Sequence, residues 1–151
     1  LKHERHIKLI SNKKINIKKF GNFGLRTFKN KLDGADHYAI IKGKFSPKKT
    51  PRVRVISINI LNSFSNFNKN ILKNSLKYLN KFSNFALILI KGTNPSTTSS
   101  ENNRVLRYYG VGAQIIKELK IKNMILVSRS KKRIIALKGY GIKIVKQEII
   151  K

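Results

Sequence analysis

Apolar positions follow two different periods along the chain, and the change between them divides the sequence into two halves. In the N-terminal half, residues 20–28, 38–42 and 53–60 are short apolar segments separated by glycine, proline and Asp-Gly turn signals. The alternation of apolar and polar side chains over residues 53–60 predicts a strand with one buried face. Short strands joined by tight turns favour an antiparallel arrangement for this half.

The C-terminal half alternates helical and strand patterns. The expected elements are a helix over residues 71–82, a strand over 85–90, a flexible loop over 92–103, a helix over 105–119, a strand over 124–127, a short helix over 131–137 and a last strand at Ile142 and Ile144. Strands that alternate with helices imply a mostly parallel sheet with right-handed crossovers. The predicted fold class is therefore α/β, with a strand-rich N-terminal half and a βαβ-type C-terminal half on a mixed sheet.

Length and composition exclude several classes of protein. A chain of 151 residues is the size of one domain; we expect residues 1–19 to be a linker or the end of an upstream element, and residues 20–151 to form the domain. The chain begins with Leu1, which favours a piece of a longer protein. The absence of cysteine excludes a disulfide framework, a thiolate metal site and a cysteine nucleophile. No apolar run approaches the ~20 residues of a membrane span and no secretory signal is visible, so we expect a cytoplasmic protein with no membrane partner.

The net charge of +28, from 34 Lys and Arg against 6 Asp and Glu, has two interpretations. It is typical of proteins that bind polyanions such as RNA. Lys, Ile and Asn, however, number 26, 22 and 16, and their codons are rich in A and T, so codon drift over a tolerant surface explains the same excess. The charge is also spread evenly, with +15 on residues 1–75 and +13 on residues 76–151, unlike a dedicated binding tail. Either origin implies non-specific nucleic-acid binding at low salt.

Several stretches carry recognisable motifs. They are KLDGADHYAIIKG at residues 31–43, VRV at 53–55, LRYYGVGAQIIKEL at 106–119 and GYGIKIV at 139–145. In this order they resemble the GTP cyclohydrolase II family, whose corresponding motifs are DGxEHxALVKG, VRVHSEC, LRDYGIGAQIL and GYGLEVV. The resemblance implies a GTP cyclohydrolase II-like fold. It also implies descent from zinc enzymes that open the imidazole ring of GTP in riboflavin biosynthesis, often fused behind a 3,4-dihydroxy-2-butanone 4-phosphate synthase domain.

The positions that this family uses for zinc differ in this chain. The resemblance places the three cysteine ligands of the family at Asn59, Asn70 and Leu72. An amide is a poor zinc ligand, and a leucine cannot ligate a metal. The purine- and phosphate-binding segment of the family should follow Ile90, where this chain instead has the loop of residues 92–103. We therefore expect no metal and no cofactor, and we expect that this chain is not catalytic.

Four residues remain at positions that the family uses for its substrate. The resemblance implies that Arg107 is the nucleophile toward phosphate and that Ser128 contacts the substrate. It places Lys132 and Arg133 at two lysines, one of which contacts phosphate. We predict a vestigial nucleotide-binding site at Ser128, Lys132 and Arg133, with Arg107 as its vestigial catalytic residue. The alternative is that Arg107 stabilises a helix face and that the two adjacent cations are one more basic surface pair.

The remaining candidate residues favour structural interpretations. His3, His6 and His37 are too scattered for a metal site, and we expect their imidazoles to be solvated. Asp33 and Asp36 flank a turn and are expected to form it rather than to act as acid and base.

Three functions are consistent with these features. The first is a degenerate GTP cyclohydrolase II-like domain with a structural or regulatory role, whose partner is an upstream synthase domain or a second copy of the chain. The second is a basic module on the same fold that binds RNA or a ribonucleoprotein. The third is an intact enzyme with a relocated site.

Overall fold

Seven strands and two helices make up the described part of the chain. The computed structural model describes residues 6–32, 34–46, 48–58, 66–91, 101–129 and 140–150, with the backbone alone at 58, 66–69 and 101–109. In chain order the elements are β1 (Ile7–Ile17), β2 (Gly21–Asn30), β3 (Asp36–Lys42), β4 (Arg52–Ile58), α1 (Asn66–Leu79), β5 (Phe85–Lys91), α2 (Glu101–Glu118), β6 (Asn123–Ser128) and β7 (Lys143–Ile149).

All of these strands lie in one mixed sheet, in the order β1-β2-β3-β5-β4-β6-β7. β2 pairs antiparallel with β1 on one side and with β3 on the other, and β3 also pairs antiparallel with β5. β4 pairs in parallel with both β5 and β6, and β6 pairs in parallel with β7. The predicted α/β class, with an antiparallel first half and a parallel second half, is therefore confirmed.

The two helices lie on opposite faces of the sheet, and each covers its own hydrophobic core. Ile115 of α2 and Ile88 of β5 belong to one cluster of buried side chains. Leu79 of α1 and Leu87 of β5 belong to the other. Successive side chains of a strand point to opposite faces, so adjacent residues of β5 enter different cores. This explains why β5 is apolar at almost every position.

β4 lies inside the parallel part of the sheet, and both of its faces are covered. Sequence alternation predicted one buried face, but the successive residues Val53 and Arg54 are only 0% and 7% exposed. A strand between two neighbours, with a helix on each side of the sheet, can bury residues on both of its faces. Arg54 is therefore a buried cation within the sheet, an uncommon position for a charged side chain.

The N-terminal segment, which we expected to be a linker or the end of an upstream element, contains the edge strand Ile7–Ile17. β1 pairs with β2 along its length, and the register shifts between Leu9 and Ser11. Such a bulge moves the following side chains to the other face of the sheet. Ile7 accordingly joins the core under α2, whereas Ile15 packs against the core under α1. This exchange of faces gives the irregular isoleucine spacing that concealed the strand in the sequence.

Gly43, at the end of β3, meets two requirements that only glycine satisfies. Its φ is +81°, in the region that side chains rarely adopt. A Cβ built at this position would also lie 2.6 Å from the backbone oxygen of Ser83. The residue therefore allows close approach between the end of β3 and the segment that enters β5.

Helix α2 begins at Glu101, inside the segment that was expected to be loop. Ser100 precedes an acidic residue at the first helical position, a sequence typical of a helix N-terminus. The rest of the predicted loop, residues 92–100, and the predicted short helix over 131–137 lie outside the described residues. Neither of the described helices is long and apolar enough to cross a membrane.

Candidate functional site at the parallel edge of the sheet

The carboxyl ends of β4, β5 and β6 lie at the same edge of the sheet because these strands run in parallel. β4 is followed by α1 on one face, and β5 is followed by α2 on the other. Adjacent parallel strands whose helices pack on opposite faces form a topological switch point, where open α/β sheets usually bind ligands. The fold therefore places the candidate site at this edge.

A cavity of about 150 Å³ lies on the α1 side of the sheet near this edge. Arg54 of β4 and Arg129, directly after β6, are among its lining residues. Asn70 and Asn74 are four residues apart and therefore share one face of α1. Of these four side chains Arg54 is buried and the other three are exposed. The remaining lining residues are Ile71, Ser75 and Ile150.

Arg52, two residues before Arg54 on the same strand, belongs to a different cluster, which ties three elements together. Its guanidinium donates to both carboxylate oxygens of Glu148 in β7, at 2.7 and 3.1 Å, and lies 3.5 Å from the ring centroid of Phe82. The Tyr78 hydroxyl of α1 donates to the same carboxylate at 2.7 Å. These hydrogen bonds, that of Arg52 foremost, lower the pKa of Glu148 from its usual 4.5 to about 2.

The same cluster also changes the pKa of Tyr78. Burial, followed by the hydrogen bond to Glu148, raises the pKa of Tyr78 above its usual value of 10.0. The phenol therefore stays protonated and remains a donor across the neutral range. Since each polar group of this cluster is satisfied by another, the arrangement is suited to holding β4, α1 and β7 together rather than to binding a ligand.

The predicted nucleotide-site residues are only partly described. Ser128 ends β6 with a half-buried side chain, and strand alternation puts it on the same face as Leu126, the face that α2 covers. Arg107 lies in the first half of α2, where the backbone alone is described. Lys132 and Arg133 lie outside the described residues. The vestigial nucleotide site at these four residues therefore stays a prediction.

Two of the three positions that the resemblance gives to zinc ligands, Asn70 and Leu72, lie within the described residues. Asn70 lines the cavity, whereas the half-buried Leu72 packs against the core under α1. The hydrocarbon side chain of Leu72 has no lone pair with which to bind a metal. Asn59 lies outside the described residues. Within the described ranges, no three His, Cys, Asp or Glu side chains are grouped as metal ligands would be. These residues do not fit a zinc ion held as the family holds it.

His37 is buried, which corrects the expectation of a solvated imidazole. It lies on β3 with 2% exposure, and its Nδ1 accepts a hydrogen bond from the backbone N–H of Lys91 at 3.0 Å. The imidazole therefore fixes the last residue of β5, at the edge that carries the candidate site. Asp36 begins β3 rather than forming the turn before it, and Asp33 lies outside the described residues. The side-chain oxygen of Asn30 supports that turn by accepting a backbone N–H two residues on, at 3.0 Å.

Arg54 and Arg129 were missed as candidate residues by reasoning from the sequence. The sequence feature that could have indicated Arg54 is its position between Val53 and Val55, in a segment predicted to be a partly buried strand. Arg129 gave no signal, because it is one cation among many in a basic stretch. The parallel pairing of β4 with β6, which sets Val53 opposite Leu126, carries both arginines to one cavity.

A mixed sheet with one described helix on each face defines an α/β domain. The family model for GTP cyclohydrolase II matches residues 8–98 and 73–148. The chain belongs to the GTP cyclohydrolase II family.

A solved structure has the same fold. The chain superposes with a TM-score of 0.63 on RibBX from A. baumannii, described as a two-domain 3,4-dihydroxy-2-butanone 4-phosphate synthase. The match is 23% identical and covers 98% of this chain but 41% of the other. The fold class, including its GTP cyclohydrolase II-like character, is thereby confirmed.

Curated relatives include proteins named for riboflavin biosynthesis. The 3,4-dihydroxy-2-butanone 4-phosphate synthase of Photobacterium phosphoreum is 28% identical over 95% of this chain and 44% of its own length. The riboflavin biosynthesis protein RibBA of Aquifex aeolicus is 24% identical over 87% of this chain and 39% of its own length. The chain therefore spans less than half the length of these relatives.

Proposed function

We propose that this chain is a degenerate GTP cyclohydrolase II-like domain that has lost zinc-dependent ring-opening of GTP. In this proposal it has a structural or regulatory role beside an upstream 3,4-dihydroxy-2-butanone 4-phosphate synthase domain. The observation that carries the proposal is Leu72, at a zinc-ligand position, packed against the core under α1. A leucine at this position cannot bind zinc, but it contributes apolar contacts to the core under α1. The metal would therefore be lost while the packing of the fold is retained.

Two further observations support the proposal. The whole chain lacks cysteine, so a thiolate cannot be supplied from a neighbouring position. Relatives whose names include a synthase activity extend well beyond the matched region, since the chain covers 44% and 41% of two of them. The additional length leaves room for a synthase domain, next to which this domain would act as a folded partner.

Metal content and turnover test the loss of zinc chemistry. We expect the purified chain to carry no stoichiometric zinc and to release no formate from GTP. A variant with Asn59→Cys, Asn70→Cys and Leu72→Cys is the matched control, because it restores the three thiolates at the family positions. One tightly bound zinc per unmodified chain, together with formate release, would overturn the proposal.

The regulatory or structural role requires the parent protein. Synthase activity and melting temperature should be measured for that protein with and without residues 1–151, since β1 belongs to the same sheet. We expect deletion to lower the melting temperature of the synthase domain or to change its activity. Unchanged values for both would remove this part of the proposal.

A second candidate function, RNA binding, is favoured by a row of lysines on α1 and just beyond it. Lys73, Lys77 and Lys81 are all exposed and recur every four residues. Lys73 and Lys77, both on α1, are about 6 Å apart along the helix axis, and Lys81 follows the end of α1. Such a row presents regularly spaced cations to a phosphate backbone. Lys81 also lies 5.7 Å from the ring centroid of Tyr78, which adds an aromatic surface beside the charge.

Salt dependence separates this candidate from non-specific attraction. Replacing Lys73, Lys77 and Lys81 by glutamine should reduce the slope of log affinity against log salt by about 2 for single-stranded RNA. The matched control replaces three exposed lysines on the edge strand, Lys8, Lys13 and Lys14. Equal losses for the two triple variants would indicate attraction to the whole basic surface and would exclude the row as a binding site.

A further inference from the structure

Strand β1 forms one edge of the described sheet, and it is the longer of the two edges. It has 11 residues, against 7 in β7 at the other edge. Within the described part of the chain, β1 pairs with β2 alone. The N–H and C=O groups of successive strand residues point in opposite directions, so about half of those in β1 face away from β2. Such a row of backbone groups is a template on which another extended segment can pair.

Large apolar side chains are exposed at the start of this edge. Leu9 and Ile10 lie next to each other at the bulge of β1. Leu32 follows the end of β2, which the register places beside the first residue of β1. These are three of the five exposed large apolar side chains among the described residues. Apolar side chains that are exposed together indicate a surface for a partner.

The same edge is basic throughout. Residues 7–32 contain 8 Lys or Arg and no Asp or Glu. Lys8 and Lys13 are exposed, and they lie opposite Lys29 and Leu25 of β2, on the face of the sheet that carries α1.

The neighbours of Lys8 show which charge this edge lacks. Lys29 has Lys8 opposite it in β1 and Asp36 opposite it in β3. Lys8 has only the like charge of Lys29, because no described strand lies on its outer side. Like charges directly opposite each other destabilise a pair of strands. A carboxylate on a strand added outside Lys8 would supply the opposite charge.

We propose that β1 binds an acidic, extended segment of a partner protein, which pairs with it as an additional strand of the sheet. Backbone hydrogen bonds hold the segment, and its side chains determine which segment fits. Carboxylates lie beside Lys8 and Lys13 on the α1 face. An apolar side chain lies beside Leu9 on the other face, since Leu9 is opposite Phe28 of the core under α2. Acidic and apolar residues therefore alternate along the segment.

A second copy of the chain fits this edge less well than an acidic segment. Pairing of two β1 strands would bring the lysines of one copy beside those of the other, and each copy has a net charge of +28. Lysines on an edge strand are a device by which proteins prevent pairing between identical chains. The charge of β1 therefore disfavours self-pairing and favours a partner of opposite charge.

Binding of a synthetic peptide to the 151-residue chain tests the proposal. The probe is a fluorescently labelled seven-residue peptide of alternating glutamate and valine with blocked ends, which carries its carboxylates on one face. We expect saturable binding by fluorescence anisotropy. Hydrogen exchange should slow at alternate amides of β1 and stay unchanged in β7. Saturable binding without protection of the β1 amides, or no binding at all, would overturn the proposal.

Paired variants locate the peptide on the surface. Lys8→Gln combined with Lys13→Gln should weaken its affinity about tenfold at low ionic strength, because two charge pairs are lost. The matched control, Lys73→Gln with Lys77→Gln, removes the same charge from exposed positions on α1 and should change the affinity less than twofold. Equal losses in the two double variants would indicate attraction to the whole basic surface and would contradict the proposal.

A modified peptide separates strand pairing from attraction between charges. N-methylation of two adjacent central residues keeps every carboxylate but removes an N–H donor from each edge of the peptide. This peptide should bind at least tenfold more weakly, and equal binding would exclude strand addition.

Other occupants of the edge give different results. Self-association of the chain that the probe dissociates would assign β1 to a second copy. Protection of the same amides by oligouridine and not by the probe would assign it to nucleic acid. Either result would overturn the proposal. Neither bears on the proposed loss of zinc, which metal content and formate release test separately.

Discussion

Neutralising Glu148 should destabilise the fold in a strongly pH-dependent way. Glu148→Gln keeps the size of the side chain but removes the charge that Arg52 and Tyr78 hydrogen-bond. The pKa of Glu148 is about 2 in the folded chain, below its usual 4.5. A carboxyl group whose pKa is lowered by folding stabilises the protein above its unfolded pKa. That stabilisation is lost as pH falls toward the folded pKa.

The structure sets the size of the effect. Linkage gives a ceiling of roughly 3.4 kcal/mol, from a pKa difference of about 2.5 at 1.36 kcal/mol for each pH unit. The Glu148 side chain is 15% exposed and that of Arg52 is 21% exposed, so water screens part of the interaction. We therefore expect Glu148→Gln to lose about 2 kcal/mol of unfolding free energy at pH 7. The melting temperature should fall by about 4–8 °C.

Urea unfolding of wild type and variant between pH 7 and pH 3 provides the assay. The difference in unfolding free energy should be constant above about pH 5 and fall by more than half by pH 3. Lys146→Gln is the control: Lys146 also contacts Glu148, at 3.3 Å, but its side chain is 59% exposed and should contribute less than about 0.5 kcal/mol. A difference that persists unchanged at pH 3 would refute the electrostatic reasoning and assign the loss to packing.

Four further substitutions test other parts of the fold by the same unfolding measurement. Gly43→Ala should cost more than about 2 kcal/mol because both backbone conformation and space oppose a Cβ. Gly34→Ala, at φ +71° in open space, should cost about 1 kcal/mol, and equal losses would contradict the close contact at Gly43. Leu79→Ala, at a fully buried position, should cost about 2–5 kcal/mol, and a loss below 1 kcal/mol would show that α1 is not packed as described. His37→Phe should cost about 1–3 kcal/mol by leaving the backbone N–H of Lys91 without its acceptor, and hydrogen exchange at that amide should accelerate.

Local patterns in the sequence determined the alternation of strands and helices and the two-sided burial of β5. A segment such as residues 85–90, apolar at every position, can be stable only between two covering layers, so its place inside the sheet followed from composition alone. The family followed as well, because its motifs recur in order along most of the chain. These features are readable because each depends on neighbouring residues.

Contacts between distant residues were decided only by the tertiary structure. The bulge at Ile10 reverses the faces of β1, and no periodicity within that segment reveals it. The meeting of Arg54 with Arg129 depends on the parallel register of β4 and β6, which join residues more than seventy positions apart in the chain. The burial of His37 depends likewise on the end of β5. Sequence periodicity indicates which face of a helix or strand is buried. Strand pairing and register determine which residues from other elements contact that face.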